Sequence, residues 1–216
     1  MTVPFPTVST PRCGAVLLAA LLVWPAATPA LAGPSSQVVV EVGYVKPFGD
    51  LADDFFTTPK GFGIKQGLEL GFRWRYRFSD ALSVSPGFHF TDYKNFKGEN
   101  EEIGAYRIKP TTLYYSLEFM YVMRNPARTL RPFVAVNVGV CRNRVEGYWK
   151  TWEKAFDSSV NALGVGGRVG LLIGAFELSA VYNVNRFATW RFFNTGYEED
   201  YVWDNFVLRA GWIIPF

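Results

Sequence analysis

His89 is the only histidine in this chain of 216 residues. It stands in the run Phe88-His89-Phe90-Thr91-Asp92. In an extended chain, His89, Thr91 and Ser85 share one face. Ser116 and Glu118 share the corresponding face of a later segment. A histidine, a hydroxyl and a carboxylate within hydrogen-bond reach can carry acyl transfer. Here His89 would be the base, Ser85 or Thr91 the nucleophile, and Glu118 the orienting acid. One histidine without paired thiolates makes no strong metal site, and no cofactor is expected. A larger set points elsewhere. Glu41, Glu69, Arg73, Arg75, Arg77, Glu118, Arg168, Glu177 and Arg209 all fall opposite an apolar, aromatic-rich face. The planar fork of arginine can bridge two carboxylates. This set therefore reads as an internal ion-pair network, centred on Glu69, Arg73, Arg75, Glu118, Arg168, Glu177 and Arg209.

The elements that must position these groups alternate with a period of two. In the last segment Phe206, Leu208, Ala210, Trp212, Ile214 and Phe216 oppose Asn205, Val207, Arg209, Gly211 and Ile213. In an earlier one Leu68, Leu70, Phe72, Trp74, Tyr76 and Phe78 oppose Glu69, Gly71, Arg73, Arg75 and Arg77. Eight such segments are expected. They are Val38–Pro47, Lys65–Phe78, Leu82–Asp92, Thr111–Met123, Leu130–Arg142, Val160–Leu172, Ala175–Phe187 and Val202–Phe216. Each is long enough to span a membrane at a tilt, which takes about 9–11 residues. Tight links at Ser79–Ala81, Arg124–Arg128 and Ile173-Gly174 alternate with long ones at Phe48–Ile64, Tyr93–Pro110, Asn143–Ser159 and Ala188–Tyr201. The expectation is all-β: an eight-stranded antiparallel transmembrane β-barrel with short periplasmic turns and long extracellular loops. A soluble barrel would invert the pattern, with an apolar interior and a charged exterior. The aromatics of the long links, Tyr148, Trp149, Trp152, Trp190, Phe192, Phe193, Tyr197 and Trp203, are expected at the membrane interface.

Residues 1–32 are expected to be a signal peptide outside the fold. Arg12 supplies a positive flank, Gly14–Trp24 a short apolar core, and Ala30-Leu31-Ala32 a small-x-small cleavage site. Residues 33–216 then form one barrel domain. Setting Arg12 aside leaves 21 basic against 19 acidic residues. Such a balance excludes nucleic acid as a main partner. Cys141 is the one cysteine of that domain, so no disulfide within the chain and no thiolate metal cluster are expected.

The leader, eight long strands, short inner turns, long outer loops and terminal Phe216 resemble the small outer-membrane β-barrel superfamily. That group includes OmpA-transmembrane-like, OmpX-like and OmpW-like proteins. The resemblance spans Val38–Phe216 and is one of architecture. It implies a multi-pass barrel in the outer membrane of a Gram-negative envelope. Outer-membrane lipid and lipopolysaccharide would be its surroundings, and the barrel-assembly machinery would read Phe216. An extracellular ligand held by the loops is a further partner it allows; a wall-anchoring domain is not expected. His89-x-Thr91 is also loosely similar to the His-x-Ser of the lipid A 3-O-deacylase family. Thr91 stands in place of the serine, Asp92 in place of an asparagine, and the pair lies early in the barrel. Three roles follow: a structural or surface-interaction barrel with a largely filled lumen, a narrow channel for small solutes or ions, or a lipid A-modifying acyl hydrolase. The first is the one the residues favour. N-terminal sequencing of protein from outer membranes is expected to begin at Gly33; an intact Met1 terminus would place the leader within the mature chain.

Overall fold

A computed structural model describes residues 35–53, 62–100, 104–123, 130–149, 153–188 and 200–215. Ten strands lie among them. They are β1 (Ser36–Pro47), β2 (Gly67–Arg77), β3 (Leu82–Tyr93), β4 (Phe96–Asn100), β5 (Gly104–Val122), β6 (Leu130–Trp149), β7 (Glu153–Ile173), β8 (Phe176–Ala188), β9 (Asp200–Val202) and β10 (Asn205–Pro215). Eight of them form the wall. β1 pairs with β2, then the order runs β3, β5, β6, β7 and β8. β10 closes the ring by pairing with β8 on one side and β1 on the other. All pairings are antiparallel, and β4 and β9 are short additions on β5 and β8. Closure leaves no wall edge unpaired, which hydrocarbon requires because it offers backbone groups no partner. No helix among the described residues is long and apolar enough to cross a membrane.

Side-chain facing separates the two barrel types. Trp74 is 52% exposed and Val136 62%, whereas Arg73 is 0% and Glu118 2% exposed. Leu68, Leu70, Phe72, Phe119, Leu163, Val169, Phe176, Leu208 and Trp212 also face outward. An apolar surface of this extent is stable in lipid and an aggregation hazard in water. The soluble alternative is thereby excluded.

The chain ends of the wall and its tight turns lie together. Ser36 pairs with Tyr76, Gln37 with Pro215, and Leu130 with Ile173. At one turn the Ser79 hydroxyl accepts hydrogen bonds from the amides of Ala81 and Leu82 at 3.3 and 3.1 Å. At another, Gly174 has φ of +60°, which favours glycine because it carries no Cβ. The turn Arg124–Arg128 and the leader lie outside the described residues.

The opposite end differs from the sequence expectation. The segments 93–110 and 143–159, read as loops, are largely strand. β5, β6 and β7 run for 19, 20 and 21 residues. Their upper halves keep the period but reverse its faces: Tyr106, Ile108 and Val145 turn inward while Lys109, Arg144 and Glu146 turn outward, so the outward apolar column that marks a lipid-facing strand stops. Trp203 is corrected as well: it is fully buried inside the loop end, away from the membrane interface.

A closed wall of this kind resists detergent, so unboiled and boiled samples are expected to migrate differently on denaturing gels. Identical migration from native membranes would contradict the closure of β10 onto β1 and β8.

Candidate functional site

The inward series of β5 gives the layout of the bore. From the turn end it runs Val122, Met120, Glu118, Ser116, Tyr114, Thr112, Pro110, Ile108 and Tyr106. Apolar residues come first, then charge, then neutral polar groups, then apolar residues again. The other strands complete each layer. Val39, Met120, Val122, Phe133, Ala135, Leu172 and Ile213 pack together near the turns. Leu51, Phe62, Ile64, Tyr93, Tyr106, Tyr201 and Trp203 belong to a second apolar cluster at the loop end.

Between them lies the charged layer. Arg73 on β2 grips Glu41 on β1 with Nε–Oε2 at 2.8 Å and Nη2–Oε1 at 2.9 Å. The same guanidinium donates to Glu177 on β8 at 2.6 Å and to Glu118 on β5. Arg168 on β7 donates to Glu41 at 2.8 Å, to Glu118 at 3.3 Å, to the Ser179 hydroxyl at 3.0 Å and to Glu177. Its guanidinium also lies over the Phe133 ring, 5.3 Å from the centroid. Arg75 donates to Glu177, while its buried Nε has no hydrogen-bond partner. Arg209 on β10 holds Glu69 on β2 at 2.5 and 3.2 Å. Arg77, at the turn rim, instead meets Asp80 at 2.9 Å. The buried arginines and glutamates of the wall are thus four of each sign, and each charge has an opposite partner.

Room for these long side chains comes from glycine. A Cβ on Gly71 would lie 2.3 Å from His89 Cδ2, and one on Gly87 would lie 2.7 Å from Arg73 Cγ. Above the charges, Tyr114 donates to Asn137 at 2.5 Å. Thr112 donates to Asn143, which exchanges side-chain amide hydrogen bonds with Asn185.

His89 joins this network. Its Nε2 donates to Glu41 at 3.0 Å, and its Nδ1 has no hydrogen-bond partner. The acyl-transfer relay is not assembled. Glu118 is held by Arg73 and Arg168, Thr91 points its hydroxyl at Glu69 at 3.4 Å, and the Ser85 hydroxyl is buried without a partner. No metal-binding cluster of histidine, cysteine and carboxylates occurs among the described residues. Phe216 lies outside the described residues, as do Trp152, Trp190, Phe192, Phe193 and Tyr197.

Sequence reasoning singled out His89, as an inward group supporting the lumen, but not Glu41 as its central partner, nor the apolar plugs. Glu41 was legible only as one inward glutamate among several. The apolar residues at Leu51, Phe62 and Ile64 lie in a link whose fold follows no period. Backbone hydrogen bonds hold that link in place: Phe48 N to Asp204 O at 2.8 Å and Ile64 N to Leu51 O at 2.9 Å. The Asp50 carboxylate also accepts from Val202 N at 2.7 Å.

Residues 15–213 match the family described as outer membrane protein beta-barrel domain. The chain belongs to this family. As an outer-membrane barrel it resides in outer-membrane lipid and depends on barrel assembly. The barrel is similar in fold to the crystal structure of Neisserial surface protein A. Identity is 17%, TM-score 0.53, covering 86% of this chain and 100% of that one. The attachment invasion locus protein of Yersinia pestis matches at 16% identity and TM-score 0.49, over 85% of this chain and 100% of that one. The N-terminal β-barrel domain of Pseudomonas aeruginosa OprF matches at 11% and 0.45, over 84% and 100%. No curated protein matched the chain in sequence.

The ion network makes quantitative demands. Glu41→Ala leaves Arg73, Arg168 and His89 short of a buried partner and is expected to cost roughly 3–5 kcal/mol in urea unfolding of the refolded barrel. Gly71→Ala forces His89 aside and is expected to cost roughly 1–3 kcal/mol. Arg144→Ala, which breaks the exposed pairs with Glu146 and Asp157, is expected to leave the midpoint unchanged. Equal effects of all three would contradict a network that supports the wall.

Proposed function

We propose that this protein is a non-conducting surface barrel, exported through a cleaved leader, that presents its loop end to partners outside the cell. The observation that carries the reading is the filling of the bore. A charge-balanced layer of arginine and glutamate stands between two apolar clusters, and the first link is tied across the loop end. A barrel of eight strands is just wide enough for its side chains to fill. An open path for ions would need these guanidinium–carboxylate contacts to part, at the cost of uncompensated buried charge. His89 acts here as a support for Glu41. The length of β5, β6 and β7 also supports the reading, since these strands carry ordered sheet well beyond the apolar columns and so place their tips clear of lipid.

Reconstitution of purified protein into planar bilayers tests this directly. Wild-type barrels are expected to give no stable unitary conductance. Voltage-insensitive steps from wild type, altered in size by substitution of Arg73, Arg75, Arg168 or Arg209, would establish the channel reading instead.

A further inference from the structure

The outer face of the barrel is not symmetric between its two ends. At the turn end the outward columns finish on Phe78, Leu82, Tyr121, Leu130, Phe176 and Ile214, without charge. At the loop end four of the eight columns change from apolar to cationic. The first charged outward residue is Lys46 on β1, Lys109 on β5, Arg142 on β6 and Arg186 on β8, whereas β3 reaches Asp92, β7 reaches Asp157 and the column of β10 reaches Asp204.

Two of these cations form a place on the wall. Arg142 and Arg186 are exposed and flank β7, across which their backbones stand roughly 12 Å apart, two strand spacings with a two-residue stagger. Asn161 pairs with Arg142, and Leu163 pairs with Arg186. Asn161 and Ser159 are exposed beside them, and neither arginine has a side-chain hydrogen bond or ion pair among the described residues. Among the described residues, the carboxylates around them are engaged elsewhere. Asp157 and Glu146 hold Arg144 one position higher, at 2.5 and 2.8 Å. Asp204 accepts from the Tyr182 hydroxyl and the Asn185 amide. Below the pair the surface is apolar, with Leu163 62% exposed and Val165, Val184 and Tyr182 beside it.

We infer that Arg142 and Arg186 hold the phosphate of a phosphorylated glycolipid in the outer leaflet. Its acyl chains lie along Leu163, Val165 and Val184, and its sugar meets Asn161 and Ser159. Three features select this ligand. Unpaired guanidinium groups at the edge of an apolar belt suit phosphate, which they bind through a fork of donors. The exposed amide and hydroxyl between them suit sugar hydroxyls. The apolar strip directly beneath suits acyl chains. The assignment rests on the loop end lying at the outer leaflet; it does not depend on whether the bore conducts.

The test uses the full barrel in nanodiscs of zwitterionic lipid, with lipid retention and Kd read by native mass spectrometry. The probes are bisphosphorylated lipid A, the same lipid with its phosphates removed, and phosphatidylglycerol. Wild type is expected to prefer the bisphosphorylated form. Arg142→Ala and Arg186→Ala are each expected to weaken it roughly fivefold, and the double variant roughly 25-fold. Arg131→Ala, at the turn end, is expected to have no effect. Gel mobility before and after boiling establishes that each variant is folded, and Arg142→Gln or Arg186→Gln replaces the alanine at the position of any variant that is not. A folded double variant that binds bisphosphorylated lipid A as wild type does would overturn the site. Equal binding of the dephosphorylated lipid would overturn the role of phosphate, and equal binding of phosphatidylglycerol the assignment to a glycolipid.

Discussion

Buried charge governs this barrel. Outside, lipid accepts any apolar side chain of suitable size, so the outer face is permissive. Inside, each guanidinium removed from water must meet a carboxylate or destabilise the fold by several kcal/mol. The bore answers with equal numbers of each and with shared partners. Glu41 serves Arg73, Arg168 and His89, and Glu177 serves Arg73, Arg75 and Arg168. Shared partners hold several strands at one height, so the network sets register across the bore as well as neutralising charge. The apolar clusters above and below keep water from competing for the same donors.

Glycine is the complement of arginine here. Gly71 and Gly87 face inward where His89 and Arg73 cross. Large side chains from one strand occupy space left by their neighbours, as in any well-packed interior. The difference is that the large groups are polar. Packing and hydrogen bonding therefore act on the same atoms, and a change in volume is also a change in electrostatics.

The wall was legible in the sequence because lipid imposes a strict period. Phe72 and Trp74 outward with Arg73 and Arg75 inward is a pattern that one strand displays on its own. Pairing across the bore was not legible. The directly paired series Val40, Phe72, Phe88, Tyr115, Val140, Leu163 and Arg186 moves progressively toward the loop end as it circles the wall. That slant decides that Arg73 meets Glu177, and it depends on all the registers together. The upper halves of β5 to β7 were hidden for a different reason. Water on the outside replaces the outward apolar column with charge, and the apolar side chains, Tyr106, Ile108 and Val145, turn inward, so the lipid-facing pattern ends and the segment reads as a loop. Trp203 shows the opposite failure: its size and aromatic character suggested an interfacial anchor, whereas it is buried against Phe62, with ring centroids 5.7 Å apart, beside the backbone ties of Phe48 and Ile64.

The span of the ion contacts has a kinetic meaning. Arg73 and Glu177 are 104 residues apart in sequence, and Arg168 and Glu41 are 127 apart. A sheet lacking its last strands holds Arg73 near Glu41 and Glu118 but leaves part of its charge uncompensated. Such an intermediate has a polar face that hydrocarbon rejects. Chain entropy opposes contacts of this range until neighbouring strands have already docked. The last hairpin therefore completes electrostatic neutrality and the hydrogen-bonded ring in one event. Partial barrels are selected against by the same groups that hold the finished one, and insertion proceeds cooperatively.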